Sequence, residues 1–158
     1  MPKVVVNTTP LIALANIGKL DLLKQLYGEI YIPNAVLWEI KSEPAKSMVK
    51  NSAWIKTTSV SNHSDTGLFR AKLHAGEVEV MMLAKEQNAD FVIMDDNPAK
   101  KTAKFMGLKV TGTLGVLLKA KKEGLIERVE PILNSIIADG FYIASDIRQM
   151  VLEEAGEL

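Results

Sequence analysis

The sequence predicts an α/β fold, a parallel sheet of about five strands sandwiched between helices in three layers. Three observations carry the prediction. Short apolar or β-branched runs alternate with segments of helical period along the chain. The run Phe91-Val92-Ile93-Met94 is apolar without a break, as a strand covered on both faces must be. Proline and glycine stand where the intervening helices should begin and end.

Val4-Val5-Val6 is the first strand, stopped by Asn7-Thr8-Thr9-Pro10. Pro10 suits the first turn of a helix, with Thr8 or Thr9 as its cap. Residues 11–18 read as a short helix and 20–28 as a second, each closed by glycine. Residues 29–33 form the second strand. A helix follows with Asn34 as its cap, and it carries Trp38 and Glu39. Residues 54–60 form the third strand, and "SNHSDTG", 61–67, a polar loop. Residues 76–88 read as a helix, because Val78, Met81, Met82 and Ala84 or Lys85 recur at spacings near three and four. The fourth strand covers 90–94. A helix over 97–107 follows, with Pro98 at its start, and then a fifth strand over 108–112. Helices over 113–124, 127–140 and 145–156 complete the chain. Nothing repeats and no linker interrupts, so a single domain over 1–158 is expected.

Composition narrows the function. Hydrophobic residues make up 47%, enough for a core. Nineteen basic and nineteen acidic residues cancel, so any grip on nucleic acid must rest on a local patch. The absence of cysteine excludes a disulfide scaffold, a thiolate zinc site and thiol catalysis. His63 and His74 are the only histidines, which argues further against zinc. The opening "MPKVVVNTTPLIALANIG" lacks the apolar core and cleavage site of a signal peptide. No run approaches the roughly 18 apolar residues of a membrane helix. A cytoplasmic protein without membrane contact is the expectation.

In open parallel sheets, sites form outside the carboxyl ends of the strands. That rule brings Asn7, after the first strand, near Asp95 and Asp96, after the fourth. Glu77 opens the helix before the fourth strand, and Glu39 lies on the helix after the second. Three carboxylates about 5 Å apart repel by roughly 3 kcal/mol per pair at an effective dielectric near 20. Such a cluster needs a cation, or one acid held protonated. Hard oxygen ligands favour Mg²⁺ or Mn²⁺. Successive strand residues point opposite ways, so Asp95 is taken as the inner acid and Asp96 as a cap or supporting group. Glu79, two residues beyond Glu77, faces elsewhere.

Each residue also has an ordinary reading. Glu77 at a helix start answers the helix dipole. Glu39 is a solvated helix residue, and Asp95-Asp96 a capping turn. "VTGTLGVLL" matches neither the dinucleotide fingerprint nor the P-loop, and a tight turn capped by Thr113 explains it. Lys100, Lys101 and Lys104 form a solvated basic face, or meet phosphates near the acids.

Four pieces in order carry a resemblance: Asn7-Thr8-Thr9-Pro10-Leu11-Ile12-Ala13-Leu14, Gly76-Glu77-Val78-Glu79, Asp95-Asp96 before a basic helix, and the "GTLGVL" turn over 112–117. The chain resembles the PIN-domain family, which includes the VapC-type toxins of toxin–antitoxin systems, over nearly its whole length. It is most similar to a prokaryotic branch of PIN-like proteins. The resemblance implies a parallel sheet between helices and metal-dependent endoribonuclease activity. Carried over, the family's acidic positions fall on Asn7, Glu39, Glu77 and Asp95. Asn7 departs from the usual Asp. It lowers the local charge by one and ligates only through its amide oxygen.

Two functions follow. In the first, Glu39, Glu77 and Asp95 hold Mg²⁺ or Mn²⁺ for in-line hydrolysis of RNA. Asn7, Thr8 and Thr113 orient water or phosphate, and Asp96, Lys100 and Lys101 support the site or bind substrate. The resemblance adds an antitoxin protein as partner and a homodimer. In the second, the loss of a carboxylate at Asn7 leaves a catalytically impaired module that binds nucleic acid or protein.

Overall fold

The structure, a computed structural model, describes residues 2–61 and 75–158. Both histidines and nearly all of the expected loop at 61–67 lie outside the described residues. The elements run β1 (Val4–Val6), α1 (Thr8–Asn16), α2 (Asp21–Tyr27), β2 (Ile30–Pro33), α3 (Asn34–Glu39), α4 (Ala45–Asn51) and β3 (Ile55–Thr58). They continue α5 (Ala75–Glu86), β4 (Phe91–Ile93), α6 (Asn97–Phe105), β5 (Val110–Thr111), α7 (Thr113–Lys122), α8 (Glu130–Ala138) and α9 (Ser145–Glu154).

The five strands form one sheet in the order β3-β2-β1-β4-β5, and every pairing is parallel. This is the predicted three-layer α/β/α arrangement. Strand β1 is central, and Val4, Val5 and Val6 are all fully buried. Three β-branched residues suit that position, because both faces of a central parallel strand are covered. Its neighbour β4 pairs Val4 with Phe91, Val5 with Val92 and Val6 with Ile93. At the edge, β3 exposes Lys56, which pairs with Glu29 at 3.7 Å. A charge there discourages pairing with another chain.

Helix α5 packs on β1, β2, β4 and α3. That placement explains why Val78, Val80, Met81, Met82, Leu83 and Ala84 are all buried rather than one stripe of them. Helix α7 packs against β5, α1, α2 and α9. Among the described residues, no helix is long and apolar enough to cross a membrane.

Several boundaries differ from the sequence expectation. Helix α1 begins at Thr8, so Asn7 rather than Thr8 or Thr9 holds the N-cap position. Pro10 still falls within the first turn, where a missing N–H costs no helical bond. Pro33, not Asn34, precedes α3, and the Asn34 amide donates to Ser59 Oγ at 2.9 Å. Gly112, not Thr113, precedes α7. Helix α4 was not anticipated, because only Ala45 and Val49 of its seven residues are buried. Two positions are too few to show a period.

Carboxylates from elsewhere in the chain satisfy several helix starts. Glu79 accepts from Ala35 N of α3 at 3.2 Å. Glu157, near the end of the chain, accepts from Val129 N at 2.6 Å and Glu130 N at 2.9 Å at the start of α8. Lys121 Nζ adds a third bond at 2.9 Å. Burial pushes the Glu157 carboxyl up, but the bonds from Val129, Lys121 and Glu130 outweigh it and bring it down to about 2.

Candidate active site

The carboxyl ends of β1 and β4 lie side by side, and the chain leaves the sheet there at Asn7 and Met94. Asn7 N donates to Ile93 O at 2.9 Å, extending the β1–β4 ladder by one bond. Met94 N donates to Thr111 O at 2.9 Å, which carries the same edge across to β5. The ends of β1, β4 and β5 thus share one rim, as the parallel topology requires.

On that rim the two adjacent aspartates separate. Asp96 is the N-cap of α6 and accepts from Ala99 N at 3.0 Å. Asp95 turns to the start of α7 and accepts from Thr113 N at 2.8 Å and Thr113 Oγ1 at 2.7 Å. Thr113 is completely buried. Asp95 therefore supplies, from just beyond β4, the cap that Gly112, with no side chain, cannot give α7. Gly112 leaves room for this. A Cβ there would stand 2.7 Å from Asp95 Oδ1 and 3.0 Å from Lys100 Nζ. Both charged atoms occupy the space that a side chain at 112 would fill.

Glu39 makes the corresponding contacts on the other side of β1. Its Oε2 accepts from Thr8 Oγ1 at 2.6 Å and its Oε1 from Gly76 N at 2.8 Å. Gly76 again leaves room, since a Cβ would meet the Glu39 carboxylate at 2.5 to 2.8 Å. The Glu39 contacts join Thr8, next to Asn7, to Gly76, next to Glu77. Glu77 itself is buried, only 5% exposed, in the first turn of α5.

Asn7 is the anomaly. It is 5% exposed and holds the N-cap position of α1, yet its side chain makes no capping bond. Among the described residues, its Oδ1 is the buried side-chain polar atom without a hydrogen-bond partner. An orphaned buried acceptor costs about 1–3 kcal/mol.

This chemistry fits a hard divalent cation. Asn7 Oδ1 is an unfilled oxygen donor. Glu39 and Asp95 each accept two bonds, and an ionised carboxylate offers about four acceptor positions. Among the described residues, no three acidic or imidazole side chains form a ready-made metal cluster. Mg²⁺ does not require one, because it typically takes one or two carboxylates and keeps several waters.

The basic residues divide. Lys100 is half-buried and lines a cleft of about 680 Å³ with Asp95, Gly112 and the segment 140–144. Lys101 and Lys104 are exposed and line no part of it. Phe141 and Tyr142 form part of the same cleft, and the sequence reading did not single them out. An adjacent aromatic pair following Gly140 in a non-helical segment was the available signal.

The family model DUF3368, described as a PIN domain, matches residues 3–157. No curated protein matches the chain. PIN domains in general point to nuclease activity, nucleic-acid binding and use of divalent metal ions. With only residues 1, 2 and 158 outside the match, the chain belongs to the PIN-domain family.

Proposed function

We propose that the chain is a Mg²⁺- or Mn²⁺-dependent endoribonuclease. The observation that carries this is the buried Oδ1 of Asn7, without a partner among the described residues, beside the carboxyl end of β4. Asn7, Glu77 and Asp95 would hold the ion, with Glu39 beside them. When bound, it supplies Lewis-acid chemistry, lowering the pKa of water and offsetting charge on the phosphate.

The chain's own residues position the rest. Thr113 fixes Asp95 through two bonds, and Thr8 with Gly76 N fixes Glu39 through two more. Fixed oxygens need no reorganisation as charge develops. Asp96 holds the start of α6 and thereby the base of Lys100. Lys100 faces a phosphate in the cleft, and exposed Lys101 adds attraction at longer range. In the hydrolysis, a water oxygen bonds to phosphorus as the bond to the leaving ribose oxygen breaks.

A toxin role, a covering antitoxin protein and a homodimer belong to this same reading. Trp38 supports a protein partner, being 70% exposed directly beside Glu39. One observation favours the second reading, a binding module without hydrolysis: Asn7 stands where a carboxylate would strengthen the ion's hold. Incubating the pure protein with a mixed RNA pool in Mn²⁺ and in EDTA separates the two. Cleavage in Mn²⁺, absent in EDTA and lost in Asp95→Asn, is expected. Intact RNA at high protein concentration would leave only the binding module.

A further inference from the structure

The cleft beside Asp95 has a composition that the metal chemistry does not use. Its lining brings together Asp95, Gly112 and Lys100 with the 140–144 segment and the start of α9, including Phe141, Tyr142 and Ile147. Tyr142 is 86% exposed and Ile147 40% exposed. A large aromatic left this open at a cleft, rather than packed, marks a surface that meets something flat and partly apolar.

Lys100 supplies the second half. The residue is half-buried and its ammonium, among the described residues, makes no hydrogen bond or ion pair. Its Nζ and Asp95 Oδ1 converge on the space over Gly112. Asp95 is already held by Thr113 N and Oγ1. The lysine therefore keeps its three donors for an anion entering the cleft.

We infer that this cleft is the strand-binding subsite for single-stranded RNA, with a base stacked on Tyr142 and a backbone phosphate on Lys100. An exposed aromatic and one cation lining the same cleft are the two contacts that the base and phosphate of a nucleotide call for. A paired duplex hides its base faces inside the stack and offers none to Tyr142. The inference rests on the nuclease reading for its substrate class, but its grip is made by side chains and needs no cation.

The test is fluorescence anisotropy of a labelled oligouridylate in EDTA at low salt, with the same strand annealed to oligoadenylate as the comparison. Wild-type protein is expected to bind the single strand at least tenfold more tightly than the duplex. Tyr142→Ala should weaken binding about tenfold or more. Tyr142→Phe, which keeps the ring, should restore it to within about twofold. Lys100→Gln should weaken binding and reduce the slope of log affinity against log salt by about 0.7. Equal binding of strand and duplex, or Tyr142→Ala equal to wild type, overturns the subsite. RNA that is cleaved in Mn²⁺ while Tyr142→Ala binds normally removes this inference and keeps the nuclease. Strand binding that depends on Tyr142 without any cleavage keeps the subsite and removes the nuclease.

Discussion

Glu157 and Asn7 are both buried polar groups at helix starts, and they are handled in opposite ways. Glu157 accepts from Val129 N, Glu130 N and Lys121 Nζ, and its side chain is 4% exposed. Asn7 is as deeply placed and holds a cap position, yet its Oδ1 has no partner among the described residues. At Glu157 the chain spends a charge to close a corner between α7, α8 and its own end. At Asn7 it leaves a lone pair open at the end of the central strand. Saturated polar burial serves the fold, whereas the open acceptor at Asn7 is what the proposed ion would fill. Asp95 lies between the two: it caps α7 through Thr113 and keeps acceptor positions free toward the rim.

Four substitutions test this contrast between Glu157 and Asn7. The largest effect is expected for Asp95→Asn, which keeps an acceptor for Thr113 but removes the charge. Metal-stimulated RNA cleavage should fall about a hundredfold or more, with the melting temperature little changed. Cleavage equal to wild type would make Asp95 a cap and nothing else. Next is Asn7→Asp, which buries a further carboxylate at the end of β1. In EDTA it should cost about 2–3 kcal/mol in denaturant unfolding, and Mn²⁺ should restore that loss. A variant equally stable with and without Mn²⁺ would show that Asn7 meets no cation.

Glu157→Gln should cost roughly 2 kcal/mol at neutral pH and leave cleavage intact. Because the folded carboxyl titrates at about 2, below its ordinary value of 4.5, its contribution is present above the ordinary value. It fades as pH falls toward 2. The stability gap between wild type and Glu157→Gln should therefore close across that acid range, as followed by urea unfolding at stepped pH. A constant gap would mean that the carboxylate charge adds nothing at this corner. The smallest effect is expected for Lys101→Ala, under about 0.5 kcal/mol in stability and a modest rise in KM. A large loss of cleavage there would move the phosphate path from the cleft to the outer face of α6.

Much of the frame is legible in the sequence, and the reason is burial. Val4-Val5-Val6 and Phe91-Val92-Ile93 are read as strands because a central parallel sheet demands unbroken apolar runs. The split between Asp95 and Asp96 is expected from strand alternation, but β4 ends at Ile93 and the two part because Asp96 caps α6 while Asp95 accepts from Thr113. Other features leave no local trace. Thr113 looks like an ordinary cap, yet the bond that matters comes from Asp95, eighteen positions earlier. Glu39 and Gly76 meet across thirty-seven positions. Helix α4 is held by α1 and has too little apolar period of its own. The Phe141-Tyr142 wall escapes a reading tuned to charge, because exposed aromatics in a connecting segment carry no periodic signal.

Gly76 and Gly112 have a consequence for transplanting this arrangement. Each is the negative image of a carboxylate, a place where even one methyl group would collide with Glu39 or Asp95. A designer who grafted only the acids onto another scaffold would copy the donors and lose the hollows that hold them. The minimal portable unit is thus each acid together with the bare backbone it rests on.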